Sequence, residues 1–119
     1  QLLYERSEEG NVECLGLLSG RVAKLPASPE IRVPHMGWNT LQPQRHTTLT
    51  QGIEVGEHAY FVHSYAAPVT EDCVLYSEHG VEFSAVVQRG RVAGAQFHPE
   101  RSAAVGARLL QNFLEQGLA

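Results

Sequence analysis

A largely apolar face recurs at helical spacing near the end of the chain, at positions 104, 105, 108, 109, 112, 113 and 114. Ser102 lies just ahead of this face and is a predicted N-cap, because a serine hydroxyl accepts hydrogen bonds from the free N–H groups of a first helical turn. At the other end, the apolar and charged residues at 1–9 predict a helix tail, with Gly10 as its C-cap. The pattern therefore predicts a helix at each end of the chain.

Runs typical of strands occupy the middle of the sequence. Residues 83–87 and 92–97 flank a glycine-containing turn at Arg89-Gly90, which predicts a β-hairpin. Aromatic and β-branched residues at 60–66 and at 73–77 predict two further strands. Residues 21–25 alternate ahead of Pro26 and predict a strand that follows an apolar loop at 15–18, while prolines and polar residues make 26–34 and 42–50 predicted loops.

Composition narrows the class of protein. With 119 residues and 43% hydrophobic residues, the chain has the size and balance of a single globular domain, and it contains no apolar run long enough to cross a bilayer. The nine Lys and Arg residues are scattered, which argues against a nucleic-acid surface. Two cysteines and no signal-like segment favour a reducing cytoplasm, and no histidine or cysteine pair has zinc-ligand spacing, so we expect no metal and no cofactor.

The main candidate for chemistry is His98-Pro99-Glu100, which follows the predicted strand at 92–97. Proline fixes its own φ and holds the preceding residue extended, so the imidazole and the carboxylate can lie close enough for Glu100 to orient His98. An oriented imidazole can deprotonate a thiol and later protonate a leaving amine. Taken alone, the same residues could form an ordinary strand end followed by a solvated turn.

Several segments together resemble the class I glutamine amidotransferases, and more narrowly the glutaminase subunits of imidazole glycerol phosphate synthases. The resemblance covers almost the whole chain and rests on five segments, namely 1–10, 15–22, Pro34-His35-Met36-Gly37-Trp38-Asn39, Tyr60-Phe61-Val62-His63-Ser64-Tyr65 and Gln96-Phe97-His98-Pro99-Glu100. The last segment indicates only the wider class. The resemblance implies an α/β, flavodoxin-like fold, of which residues 1–119 would be the strand-rich C-terminal part.

The resemblance also implies roles for individual residues. His98 would be the general base and acid, and Glu100 would orient it. Gln1 would contact the substrate glutamine, and His63, Ser64 and Tyr65 would line its pocket. For His63, an ordinary hydrogen-bonded strand histidine is the alternative.

The cysteine of the implied cysteine-histidine-glutamate triad has no clear counterpart in this chain. In the family the nucleophile elbow reads Gly-x-Cys-Leu-Gly-x-Gln, which would place Gln1 at the end of the motif and the cysteine four residues before it. We therefore expect a partial domain without the N-terminal half and its elbow. Cys14-Leu15-Gly16 imitates the elbow, but Val12 stands where the sharp turn needs glycine, and Cys73 lies in a strand-like run that suits a small buried residue.

Partner contacts are implied at three residues. Trp38 and Asn39 match the family's contact with the ammonia-using synthase subunit, a (β/α)8 barrel, although Trp38 in a loop could equally fill the core. Arg101 stands where the family usually has lysine, and its planar fork changes the geometry of any contact made there. Removal of N-terminal strands would also leave a sheet edge unpaired, so self-association is a further expectation.

Three functions remain open at this stage. The first is that the chain is part of a glutaminase that supplies ammonia for histidine biosynthesis and is inactive alone. It could instead be a binding or structural remnant without turnover, or a class I amidotransferase domain that serves another synthase. The residues at 34–39 and 60–65 favour the first over the last.

Overall fold

Ten short strands and one helix make up the described part of the structure, a computed structural model that describes residues 1, 3–10, 12–18, 20–90 and 92–116. Two 3₁₀ turns, Thr48–Thr50 and Pro99–Arg101, precede β6 and the helix. In chain order, the elements are β1 (Arg6–Ser7), β2 (Val12–Glu13), β3 (Arg21–Lys24), β4 (His35–Thr40), β5 (Gln42–Pro43), β6 (His58–His63), β7 (Tyr65–Ala66), β8 (Cys73–Glu78), β9 (Glu82–Arg89), β10 (Val92–Ala95) and α1 (Ala103–Gln116).

The central sheet is antiparallel, with the strand order β10-β9-β8-β5. Its β9–β10 hairpin and the strand β8 confirm the predictions for 83–97 and 73–77. β9 is buried along most of its length, since residues from Phe83 to Gln88 are all buried. The short strand β5 contradicts the prediction of a loop throughout 42–50, because Gln42 and Pro43 pair with Tyr76 and Leu75 of β8. Their pairing partners are distant in sequence, so local polarity gave no sign of it.

A separate antiparallel ribbon joins β4 to β6, with His35 opposite His63 and Trp38 opposite Tyr60. β6 and β7 confirm the strand predicted at 60–66. The structure shows Trp38 in a strand, so its assignment to a loop was wrong. Gly37, at a φ of 118°, and Pro34 gave the segment the composition of a turn, but pairing with β6 stabilises it as a strand.

The N-terminal helix prediction is wrong over the described residues. Turns and the strand β1 take its place, and β1 pairs with β2 and runs parallel to β3. A helix of nine residues is marginal without tertiary support. Here the backbone finds partners in the sheet instead, because the Glu8 backbone N–H donates to the Val22 carbonyl, and Tyr4 packs into a small apolar cluster with Leu18 and Val22.

The C-terminal helix prediction is confirmed as α1, whose Val105 and Leu109 join the main core. Ser102 precedes the helix as predicted, but its hydroxyl does not cap it. The Ser102 Oγ donates to the His98 carbonyl at 2.8 Å and accepts from the Tyr60 N–H at 3.0 Å. The side chain therefore ties the start of the helix to β6.

The whole is a strand-rich, mixed α/β arrangement with a helix at the C-terminal end only of the described chain. The main core lies between the central sheet, the ribbon and α1; its largest fully buried side chains include Phe61, Phe83 and Leu41. Within the described residues, no helix combines the length and the apolar character that a membrane span requires.

Candidate active site

His98 lies three residues after the end of β10 and directly before the 3₁₀ turn that begins at Pro99. Its backbone is extended, with φ −91° and ψ 104°, as the following proline predicts. Its N–H donates to the Tyr60 carbonyl at 3.3 Å, and its carbonyl accepts from the Arg101 N–H at 3.0 Å. The backbone is thus held on both sides while the imidazole is exposed, an arrangement that allows proton exchange with a bound substrate.

Glu100 lies in the same turn, two residues after His98. Its side chain is outside the described part of the structure, so the orientation of His98 by Glu100 stays a prediction. Arg101 ends the turn and is exposed.

Gly106 is a site-positioning residue that the sequence analysis did not identify. A Cβ atom at this position would lie 1.7 Å from the carbonyl oxygen of Pro99. The helix can therefore approach the turn that follows His98 only because residue 106 has no side chain. A glycine within an otherwise regular helical pattern was the available signal.

Gln1 and Tyr65 meet beside the strand that leads to His98. The Gln1 side-chain amide donates to the Tyr65 carbonyl and to Oε1 of Gln96, both at 2.8 Å. Gln96 is two residues ahead of His98, so Gln1, Tyr65 and His98 belong to one region of the surface. A cavity of about 60 Å³ adjoins it, lined partly by Gln1 and Gln96.

His63 is buried in β6, and its Nδ1 lies 2.9 Å from the Tyr65 carbonyl. Its Nε2 lies 2.9 Å from Nδ1 of His35. His63 is thus a hydrogen-bonded histidine within a strand, and its place beside the glutamine pocket stays a prediction. Burial lowers the pKa of His63, although the Tyr65 carbonyl acts in the opposite direction. Any role in a pocket would be exerted through Tyr65.

Ser64 is partly buried between β6 and β7, and its carbonyl accepts the Leu25 N–H at 2.8 Å. That bond fixes the backbone of the predicted pocket segment against the residue that follows β3. The structure thus brings His63, Ser64 and Tyr65 into one anchored stretch of backbone, and a contact of this stretch with glutamine stays a prediction.

Trp38 is 54% exposed and packs its ring edge against Tyr60, with centroids 5.7 Å apart. The alternative that Trp38 fills the core is therefore wrong. Met36 and Val62 are exposed on the same side of the ribbon, at 64% and 38%. We call the surface formed by Met36, Trp38, Tyr60 and Val62 the outer ribbon face.

Asn39 lies on the opposite side of the ribbon from Trp38, since neighbouring residues of a strand alternate between faces. Its side-chain nitrogen donates to the Glu78 carbonyl at 2.8 Å, and its oxygen accepts the Thr40 N–H at 2.8 Å. The structure therefore does not place Asn39 beside Trp38 on the outer ribbon face.

Neither cysteine lies in a setting typical of an elbow nucleophile. Cys14 follows β2, and the described residues after it lead through a loop into β3 rather than into a helix. Cys73 is fully buried, as predicted for a structural residue, and burial raises the pKa of its thiol. Among the described residues, no group of three or more His, Cys, Asp or Glu side chains is arranged to hold a metal ion.

Comparison with known proteins gives a consistent result. The family model described as glutamine amidotransferase class-I matches residues 10–116. The chain is 59% identical over 119 residues to the imidazole glycerol phosphate synthase subunit HisH of Xylella fastidiosa strain Temecula1, covering 100% of this chain and 60% of the relative. It is 61% identical over 115 residues to the protein of that name from Xanthomonas euvesicatoria pv. vesicatoria, covering 97% of this chain and 58% of the relative. The chain thus spans about 60% of the length of the curated relatives it matches.

Proposed function

The chain belongs to the class I glutamine amidotransferase family, and from this premise we propose that it is part of the glutaminase subunit of an imidazole glycerol phosphate synthase. The observation that carries the proposal is the high identity, along the whole chain, to subunits that bear this name. The complete subunit would hydrolyse glutamine and supply ammonia for the formation of imidazole glycerol phosphate in histidine biosynthesis. Neither Cys14 nor Cys73 forms a disulfide bond in the described structure, which fits a reducing cytoplasm.

In this proposal His98 acts as the proton-transfer group. It takes the proton from a cysteine thiol, whose sulfur attacks the side-chain amide carbon of glutamine. The protonated imidazole then gives that proton to the leaving nitrogen, so that ammonia departs and a thioester remains. Water, activated by the same imidazole, releases glutamate and restores the thiol. The exposed ring on an anchored backbone suits both steps.

Glu100 would hold the imidazole in the orientation that these steps need, as the third member of a triad does. We place the nucleophile in the part of the relatives that this chain does not span, so the chain alone would be inactive. Gln1 and the segment 63–65 would form the side of the glutamine pocket next to Gln96.

The proposed partner is the (β/α)8 barrel synthase subunit, and the outer ribbon face is its proposed contact. Aromatic residues with a polar handle are common at the centres of interfaces, and Trp38 rests on Tyr60 in this surface. Arg101 is exposed in the turn after His98, whose N–H is bonded to the Tyr60 carbonyl. A partner on this face would therefore sit near His98. Asn39 would support the face from within.

The test uses an extended enzyme, in which the chain is joined to the portion of the Xylella fastidiosa subunit that it does not span. With the synthase subunit and glutamine, the extended enzyme is expected to release glutamate. His98→Ala should lower the rate by about 10²–10⁴-fold, the usual contribution of a general acid–base group. His58→Ala is the matched control, because His58 is exposed in β6 and has no role in the proposal.

The 119-residue chain without the added portion is expected to release no glutamate. Release that Cys14→Ala abolishes would make Cys14 the nucleophile and contradict this assignment. An extended enzyme without activity would favour a binding or structural remnant. Activity with a different synthase subunit in place of the barrel would favour an amidotransferase domain of another pathway.

A further inference from the structure

Four residues form a hydrogen-bonded chain on the inner side of the β4–β6 ribbon. Asn39 Nδ2 lies 3.3 Å from His35 Nε2, His35 Nδ1 lies 2.9 Å from His63 Nε2, and His63 Nδ1 lies 2.9 Å from the Tyr65 carbonyl. The two histidines face each other across the ribbon and are only 4% and 7% exposed. This chain of hydrogen bonds therefore connects Asn39 with the backbone of the predicted glutamine pocket through two buried histidine rings.

Groups of fixed polarity determine the direction of this chain at both ends. At one end, the Thr40 N–H donates to the side-chain oxygen of Asn39, and the Glu78 carbonyl accepts from its side-chain nitrogen. These two bonds fix the orientation of the Asn39 amide. Asn39 must therefore present an N–H to His35 Nε2, which has to accept.

At the other end, the Tyr65 carbonyl can only accept, so His63 must carry its proton on Nδ1. With a neutral ring, His63 Nε2 accepts from His35 Nδ1. Both histidines are thereby assigned the Nδ1–H tautomer, and every hydrogen bond in the chain has a donor and an acceptor.

Packing holds the middle of the chain in place. The His35 ring stacks on His79 at a centroid distance of 4.1 Å and on Phe61 at 4.9 Å. Phe83 lies edge-on to both histidine rings, 5.8 Å from His35 and 4.9 Å from His63. His35 is thus confined between two rings, and its Nδ1–H is aimed at His63.

We propose that His35 is a positioning residue: by donating to Nε2 of His63, it holds, together with the Tyr65 carbonyl at Nδ1, the tautomer and ring orientation of His63, and through His63 it positions the Tyr65 carbonyl beside Gln1. The inference rests on the proposed function, because the Tyr65 carbonyl matters for catalysis only as part of the glutamine pocket. The same carbonyl accepts the Gln1 amide at 2.8 Å, so a shift of the carbonyl would move both sides of that pocket.

Protonation of either ring would interrupt this chain of hydrogen bonds. A proton on His35 Nε2 would face the Asn39 amide group, and a proton on His63 Nε2 would face the N–H of His35. Burial lowers the pKa of His35 to about 4, with further contributions from His79 and His63, and it also lowers the pKa of His63. Both rings are accordingly neutral at pH 7, as the hydrogen bonds from Asn39 to Tyr65 require.

Two substitutions separate the hydrogen bond from the packing. His35→Asn can place an amide nitrogen close to the Nδ1 position, so it keeps a donor to His63 but loses the stacked ring. His35→Phe keeps a ring between Phe61 and His79 but has no donor. Thermal unfolding followed by circular dichroism establishes that each variant folds. Should His35→Phe not fold, Asn39→Leu interrupts the same chain at its other end.

The first readout is the imidazole tautomer, from ¹⁵N–¹H long-range NMR correlations of the 119-residue chain at pH 7. We expect Nδ1–H at His63 in the wild type and in His35→Asn, and a mixture of tautomers or ring orientations in His35→Phe. A wild-type His63 with its proton on Nε2 would overturn the proposal. A residue with a purely structural role would alter the melting temperature without altering the tautomer.

The second readout is glutaminase kinetics of the extended enzyme. His35→Phe is expected to raise KM for glutamine roughly tenfold with less than about a twofold change in kcat, and His35→Asn to stay near the wild type. Equal KM values for His35→Phe and the wild type would contradict the proposal. A wild-type extended enzyme without turnover would contradict the proposed function alone, since the tautomers are measured without turnover.

Discussion

His35 and His63 are buried in the folded chain, and unfolding exposes both rings to water. Their folded pKa values lie below the ordinary histidine value of 6.5, at about 4 for His35. Between these two values the unfolded chain takes up protons that the folded chain does not. The contribution of these two histidines to the free energy of unfolding should therefore be constant above about pH 7 and fall as the pH is lowered from 6.5 towards 4.

Urea unfolding at pH 7, 6 and 5 measures this dependence. His35→Phe removes one of the two groups and should flatten the slope, whereas His46→Asn, at an exposed position, should leave it unchanged. The same slope in His35→Phe and in the wild type would show that His35 does not have the lowered pKa.

At the scale of elements, α1 can pack closely against the turn Pro99–Arg101 only with a glycine at position 106. Gly→Ala within an ordinary helix stabilises by about 1 kcal/mol. Here the added Cβ would meet the Pro99 carbonyl at 1.7 Å, so Gly106→Ala should instead destabilise by about 1–3 kcal/mol. Denaturant unfolding gives the sign.

Ala107, the exposed neighbour on the same helix, provides the control for helix propensity. Ala107→Gly should cost about 1 kcal/mol through propensity alone. A stabilising Gly106→Ala substitution would mean that α1 does not rest on this turn as described. The extended enzyme should also lose activity with Gly106→Ala, because the turn contains Glu100 and directly follows His98.

On the ribbon formed by β4 and β6, we predict that the outer ribbon face binds the synthase subunit. Trp38→Ala should weaken binding of the synthase subunit by about 2 kcal/mol, roughly 30-fold in Kd, as expected for a central aromatic residue. The free energy of unfolding should change by less than about 1 kcal/mol, because Trp38 is 54% exposed. Isothermal titration calorimetry of the extended enzyme with the synthase subunit measures the affinity.

Val55→Ala is the matched control, since Val55 is 66% exposed and lies before β6, outside the outer ribbon face. It should leave the affinity unchanged. Equal affinities for Trp38→Ala and the wild type would remove the outer ribbon face from the proposed interface.

At the scale of the whole molecule, β10 is an edge strand of the central sheet and lines two cavities. One cavity, of about 60 Å³, is lined partly by Leu3 and Gly94, and the other, of about 130 Å³, partly by Ala93 and Phe113. Phe113, which lines the second cavity, is 49% exposed, and the next residue of α1, Leu114, is 80% exposed. An edge strand beside apolar surface favours pairing with a second chain.

The 119-residue chain alone is therefore expected to form dimers that dissociate on dilution, measured by size-exclusion chromatography with light scattering. Ala95→Lys places a charge on the exposed end of β10 and should shift the chain towards monomer. Gln51→Lys, at an exposed position outside the sheet, controls for the added charge. A wild-type chain that stays monomeric at high concentration would contradict this prediction.

Local features of the sequence were enough to predict several elements. The β9–β10 hairpin, β8 and α1 follow from patterns within about 15 residues, because turn glycines and the period of apolar residues act at that range. The extended backbone of His98 likewise follows from its neighbour Pro99. The motifs at 34–39, 60–65 and 96–100 also indicated the family.

Only the tertiary structure decided the remaining features, because they depend on partners distant in sequence. β4 is a strand because β6 pairs with it, and the N-terminal residues are not helical because β2 and β3 satisfy their backbone groups. The chain from Asn39 to Tyr65 needs His35 and His63 on opposite strands, and the requirement for Gly106 comes from a turn that folds back onto the helix. The sequence supplies the residue types that make these contacts, but tertiary packing decides whether those residues come together.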